Sequence, residues 1–97
     1  RLNGGQTRIR AVVAEGFAHP AIAAAAPYDL IIANILAGPL TFLAPGIRRH
    51  LAPGGRAVLS GLLRTQELLV LSFYRSQGFR LERRWRLGPW SVLLLAL

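Results

Sequence analysis

The 97-residue sequence contains no cysteine, no methionine and no lysine, and only four acidic residues stand against twelve arginines, for a formal net charge of +8. Without cysteine there is neither a disulfide scaffold nor a thiolate metal site, which fits a reducing compartment such as the cytoplasm. A chain that opens on Arg1 and holds no methionine reads as a piece of something longer. Long apolar runs are missing too. The longest, Trp90 to Leu97, is broken by Ser91 and falls far short of the roughly 20 residues a membrane helix needs. The catalytic inventory is thin: His19 and His50, and the carboxylates Glu15, Asp29, Glu67 and Glu82, with no two acids spaced for one helical face. No HExxH, GxSxG or paired-carboxylate pattern occurs, so metallo-hydrolysis and acyl transfer lack their residues.

The positive charge raises a nucleic-acid partner, because arginine is the better phosphate fork. The arginines are scattered and lack an interleaved aromatic ladder, which favours a solvated surface over a nucleic-acid face. A length of 97 residues accommodates one domain.

Along the chain, Leu2-Asn3-Gly4-Gly5 reads as a helix tail and Arg8 to Ala14 as a short strand. A turn follows at Glu15-Gly16-Phe17, then a loose turn or short helix from His19-Pro20 to Pro27. Tyr28 to Ile35 is the most strand-like segment, and its consecutive Leu30, Ile31 and Ile32 predict burial on both faces. Leu40, Leu43, Ala44, Ile47 and Leu51 form a helical stripe, with Pro45 expected to open a second short helix. Pro53-Gly54-Gly55 is expected to close that helix. Arg56 to Leu62 is the next strand, ending in the small pair Ser60-Gly61. A helix over Thr65 to Gln77 is expected to be capped by Thr65, stopped by Gly78, and turned inward at Leu69 and Phe73. Phe79 to Leu87 alternates, with Phe79, Leu81, Trp85 and Leu87 on one side. Gly88-Pro89 then joins it to Trp90–Leu97 as an antiparallel hairpin. Strands alternating with helices predict an α/β fold with a mostly parallel sheet.

Ligands bind beyond the carboxyl ends of such strands. Asn34 stands at one, where its amide oxygen and the Ile35 carbonyl offer acceptors for an amine N–H. A helix N-cap is the commoner use of an asparagine there, and spacing alone favours it. His50 reads as a residue facing the helix dipole and His19 as a loop residue.

YDLIIANILAGPLTFLAP, LAPGGRAVLSGLL and LGPWSVLLLAL together resemble the bacterial ribosomal protein L11 methyltransferase family, over nearly the whole chain. ANILAGPL after YDLI is specific to it, whereas LxPGGRxxLSG is shared by many class I methyltransferases. The resemblance implies a Rossmann-like class I methyltransferase sheet and S-adenosylmethionine (SAM) as cofactor. It also implies methylation of amino groups, on a lysine side chain or an α-amine, of a large-subunit ribosomal stalk-base protein. On that reading residues 1–97 form the carboxyl-terminal portion of the catalytic domain. The glycine-rich SAM loop, the ribose-binding acid and a substrate-recognition domain then lie upstream. Asn34 and the Ile35 backbone carbonyl become catalytic, with Glu15 and Gly16 on the adenine side of the cofactor and Asn34 also touching it. Related amino-methylating enzymes carry Asn-Pro-Pro-Tyr at this motif; Ile35, Leu36 and Ala37 replace its prolines and aromatic, which favours a flexible alkyl amine over a flat ring. Gly46 stands where a polar or acidic helix residue is expected. A nucleic-acid methyltransferase and a non-enzymatic basic RNA-binding module are the alternatives. The family strand order (third, second, first, fourth, fifth, seventh, sixth) leaves the third strand without its neighbour and one edge of Tyr28–Ile35 bare. The isolated chain is therefore expected to be poorly folded or self-associating, and, without the glycine-rich loop and ribose-binding acid, not to bind SAM measurably.

Overall fold

Branched and aromatic residues favour the pleated, half-buried surface of a sheet, and the described residues include five strands. The computed structural model describes residues 9–12 and 27–97. In order these form β1 (Ile9–Val12), β2 (Tyr28–Asn34), α1 (Ala37–His50), β3 (Leu51–Leu63), a 3-10 turn (Arg64–Gln66), α2 (Glu67–Ser76), β4 (Arg80–Leu87) and β5 (Trp90–Ala96). The expected features at Leu2–Gly5, Glu15–Phe17 and His19–Pro20 lie outside the described residues.

The sheet order is β1-β2-β3-β5-β4. β1, β2 and β3 run parallel, while β5 is antiparallel to both β3 and β4. The pairings are thus evenly divided, and "mostly parallel" is corrected to mixed. β1 also does not stand alone: Ile9 to Val12 pair with Leu30 to Ala33. Unpaired strand edges leave backbone donors and acceptors unsatisfied, and β1 takes up the edge of β2 that was expected to be bare.

Both helices pack on one face of the sheet. Ile31 and Ala33 of β2, Ala57 and Leu59 of β3, and Leu93 and Leu95 of β5 form one buried cluster with Leu40, Ala44 and Ile47 of α1 and Val70, Leu71 and Tyr74 of α2. The alternate residues Leu30, Ile32, Val58, Val92 and Leu94 point the other way and are half-buried. β2 is therefore buried on its helix face and only partly covered on the other, which corrects the expectation of two buried faces. Tyr74 ties the helices together, its buried hydroxyl donating to Leu40 O at 2.8 Å while its ring meets Phe79 edge-on at 5.6 Å.

Several local expectations are revised. α1 is one helix with Pro45 inside it, because Leu40, Thr41 and Ala44 before the proline and Gly46 and Ile47 after it are buried on the same helix. That shared burial outweighs the roughly 3 kcal/mol an interior proline costs. Gly46 faces inward, so no polar residue is called for there. α1 ends at His50, and Leu51 already belongs to β3. Pro53-Gly54-Gly55 instead forms an irregularity inside β3, where the register passes from Tyr28↔Leu51 to Leu30↔Arg56 and Gly54 takes φ +78. Thr65 lies in the 3-10 turn, and Gln66 does the local capping by accepting the Leu63 N–H at 2.8 Å.

On α2 the inward residues are Glu67, Val70, Leu71 and Tyr74, whereas Leu69 and Phe73 are 55% and 44% exposed. In β4 a bulge at Glu82 breaks the alternation, since Leu81 pairs with Leu95 but Arg83 pairs with Leu94. An extra residue of this kind swaps the sides of everything after it. Leu81 stays with the helices. Trp85 and Leu87 turn to the opposite face and remain exposed, with Arg83 stacked over Trp85 at 5.2 Å. The hairpin at Gly88-Pro89 forms as expected, with Gly88 at φ +58.

The revised face of α2 separates two neighbouring leucines. Leu71→Ala is expected to cost about 2–5 kcal/mol in chemical denaturation, and Leu69→Ala less than about 1 kcal/mol.

Candidate active site

The carboxyl ends of β2 and β3 meet at one edge of the core. Asn34 pairs with Ser60, and the Ile35 N–H donates to Ser60 O at 3.2 Å as the last rung. β3 then continues through Gly61, at φ +86. A Cβ on Gly61 would lie 2.6 Å from Ile35 O and 3.1 Å from Asn34 Oδ1. The absent side chain is what lets the Ile35 carbonyl and the Asn34 amide close over β3.

α1 starts after this junction. Its N-cap is Leu36, at φ −64 and ψ 156, with no side-chain cap bond. Asn34 is therefore not the helix cap that spacing favoured. It is exposed at the strand end, as is Leu36 beside it. The arrangement presents two neutral acceptors, the Asn34 amide oxygen and the Ile35 carbonyl, with the Asn34 N–H2 as an adjacent donor. Such a floor can orient an amine nitrogen and carries no charge of its own.

The other candidates fall elsewhere. Glu15, Gly16 and His19 lie outside the described residues. His50 ends α1, where its Nδ1 lies 2.7 Å from Gly46 O, a contact within the last turn. A helix of 14 residues puts it about 20 Å from Asn34. Among the described residues no group of three or more His, Cys, Asp or Glu side chains stands together.

One functional corner has no counterpart in the sequence reading. Glu67 opens α2 and is buried, yet it is surrounded by partners. Arg86 donates to both its oxygens, at 3.1 Å each, Arg84 Nε lies 2.8 Å from Oε1, and the buried Ser91 hydroxyl donates to Oε2. The Arg86 hydrogen bonds lead in holding its carboxyl down to about 2; Ser91 and the Arg84 charge assist, against desolvation, which pushes the other way. The start of the helix also favours a negative side chain. This cluster fixes the amino end of α2 to the β4–β5 hairpin beside the strand ends. Its signal in the sequence was a lone acid starting a helix and two arginines at alternate positions of a strand. Nothing in spacing connects them. Glu82, on the exposed edge, pairs with Arg56 at 2.8 Å and is lowered by that hydrogen bond.

Because the carboxyl of Glu67 is lowered, its contribution to stability is complete above about pH 4.5 and is lost as pH falls towards 2. Glu67→Gln is expected to cost about 3 kcal/mol at neutral pH, with the difference in melting temperature narrowing as both proteins are titrated below pH 4. Gly61→Ala is expected to cost about 2 kcal/mol through its left-handed backbone and the collision with Ile35, measured by thermal denaturation.

A family model described as ribosomal protein L11 methyltransferase matches residues 1–96. A ribosomal protein L11 methyltransferase of Bradyrhizobium diazoefficiens is 50% identical over 95 residues, covering 98% of this chain and 32% of the relative. One from Brucella suis is 45% identical over 93 residues, covering 96% of this chain and 33% of the relative. The chain thus spans about a third of the length of the curated relatives it matches. Among solved structures, a ribosomal protein L11 methylase from Lactobacillus delbrueckii subsp. bulgaricus superposes with a TM-score of 0.73 at 22% identity, over 96% of this chain and 71% of that one. A precorrin-6y C5,15-methyltransferase from Geobacter metallireducens gives 0.60 at 16% identity, over 84% and 50%. These two likenesses are of fold, a methyltransferase α/β sheet.

Proposed function

The chain belongs to the ribosomal protein L11 methyltransferase family, and on that premise we propose that the whole protein uses SAM to methylate amino groups of a large-subunit ribosomal protein, L11. The acceptor is a lysine side chain or an α-amine, and residues 1–97 supply the carboxyl-terminal portion of the catalytic domain. The observation that carries this reading is the pair of neutral acceptors at Asn34 and Ile35, closed over Gly61 in a chain that matches the family almost end to end. Working beside ribosomes, such an enzyme belongs in the cytoplasm.

Bound SAM would supply an electrophilic sulfonium methyl. The neutral polar floor at Asn34 and Ile35 suits that positive group as well as an uncharged amine. Glu15 and Gly16 are assigned to its adenine side, and Asn34 to the boundary between cofactor and acceptor. Asn34 Oδ1 and Ile35 O accept the N–H bonds of the incoming amine, which turns the nitrogen lone pair outward from the strand end. Positioning of this kind does most of the work in an in-line displacement. The amine, with an ordinary pKa of about 10.4, has to arrive unprotonated. A floor without a carboxylate does not hold it as ammonium. Among the described arginines, Arg56, Arg84 and Arg86 are engaged by Glu82 and Glu67, which takes them out of any run of cations that could follow a phosphate backbone.

In the full-length protein, Asn34→Ala and Asn34→Asp are expected to lower turnover on L11 about a hundredfold, with melting temperature unchanged because no cap is lost. Asn34→Ser should be nearly as slow. Near-normal turnover in Asn34→Ser and Asn34→Asp would remove Asn34 from the site.

A further inference from the structure

Next to the acceptor end of the sheet lies a positive corner that the proposed chemistry does not use. A cavity of about 510 Å³ opens there, lined by Leu63, Arg64, Thr65, Arg86 and Pro89. Leu63 follows Ser60 by three residues along β3, through the irregularity at Gly61, which puts it within about 10 Å of the Asn34–Ser60 pair. Its walls are held on both sides: the Arg64 N–H donates to Pro89 O at 2.8 Å, and Arg86 is locked onto Glu67.

The charges at this corner do not balance. Arg84 and Arg86 already share one carboxylate, Glu67, and Arg64 lines the same cavity as Arg86 without an acidic partner among the described residues. Among the described residues the exposed Arg64 guanidinium is held by a single long bond, Nη1 to Gly88 O at 3.4 Å. Its remaining donors form a planar fork that matches the two oxygens of a carboxylate. Leu63 and Pro89 supply apolar wall for the methylenes behind such a group. One uncommitted fork in a single cavity does not track a run of phosphates, which needs several cations along a groove.

We propose that this cavity is an anion subsite in which Arg64, with Thr65 and Arg86 at its rim, holds an acidic side chain of the acceptor polypeptide while the amine lies at Asn34. The subsite rests on the reading of the protein as a protein methyltransferase and adds a substrate requirement to it: a carboxylate within roughly 10 Å of the methylated nitrogen.

The test uses the full-length protein with purified L11 as acceptor and the variants Arg64→Gln and Arg64→Glu. KM for L11 is expected to rise about tenfold in Arg64→Gln and further in Arg64→Glu, with kcat within about twofold and melting temperature unchanged. Replacing the acidic residue of L11 closest to the methylated nitrogen by its amide should raise KM for the unaltered enzyme and not further for Arg64→Gln. A tri-glutamate peptide should compete with L11 for the unaltered enzyme only. An unchanged KM in Arg64→Glu overturns the subsite, as does competition by a single-stranded oligonucleotide where the peptide has none. If the unaltered protein methylates no ribosomal protein, the functional reading fails instead. The subsite then stands or falls on calorimetry, which should show tri-glutamate binding to the unaltered protein and none to Arg64→Gln.

Discussion

A carboxylate buried at the start of a helix has to be compensated, and the way Glu67 is compensated organises the half of the molecule that follows β3. Removing an ionised group from water costs several kcal/mol unless opposite charge and hydrogen bonds replace the solvent. Here the replacements come from β4 and β5, through Arg84, Arg86 and Ser91. The requirement sets the rotation of α2 about its axis, because Glu67 can face the hairpin only if Val70, Leu71 and Tyr74 face the core with it. It also sets which side of β4 carries Arg84 and Arg86.

That dependence explains what was legible in the sequence. β2 and the β4–β5 hairpin were readable because each is specified locally, by a branched apolar run and by a glycine-proline turn. The inner face of α2 was not. Leu68-Leu69-Val70-Leu71 is apolar at every position, so periodicity leaves its orientation open, and the deciding contact lies in a strand more than ten residues away. β4 misled for a related reason. Its apolar residues Leu81, Trp85 and Leu87 share one parity, interrupted at Arg83, but the bulge at Glu82 inverts the pattern partway, leaving Leu81 inside and Trp85 outside.

The candidate site divides in the same way. Asn34 was visible as a polar residue ending a buried strand, and its neighbour Ile35 followed from it. Whether Asn34 capped the helix was a matter of two residues of offset, which only the backbone at Leu36 decides. Gly61 was noticed as a small residue, but its role comes from the crossing of two strand ends that are distant in sequence. The Arg64 corner depends on three separate elements and has no local signature.

The bulge at Glu82 has a bearing on how such a chain can change over generations. In an unbroken strand, the parity of a position determines whether it meets solvent or core, so inner and outer faces are locked in step. A single extra residue acts as a phase slip between two independent reading frames. The stretch before it answers to the helix layer through Leu81, and the stretch after it presents Arg83, Trp85 and Leu87 to whatever lies on the far side. Substitutions can accumulate on that outer surface without passing through the core's volume constraints, while loss of one residue at the slip would exchange the two surfaces at a stroke.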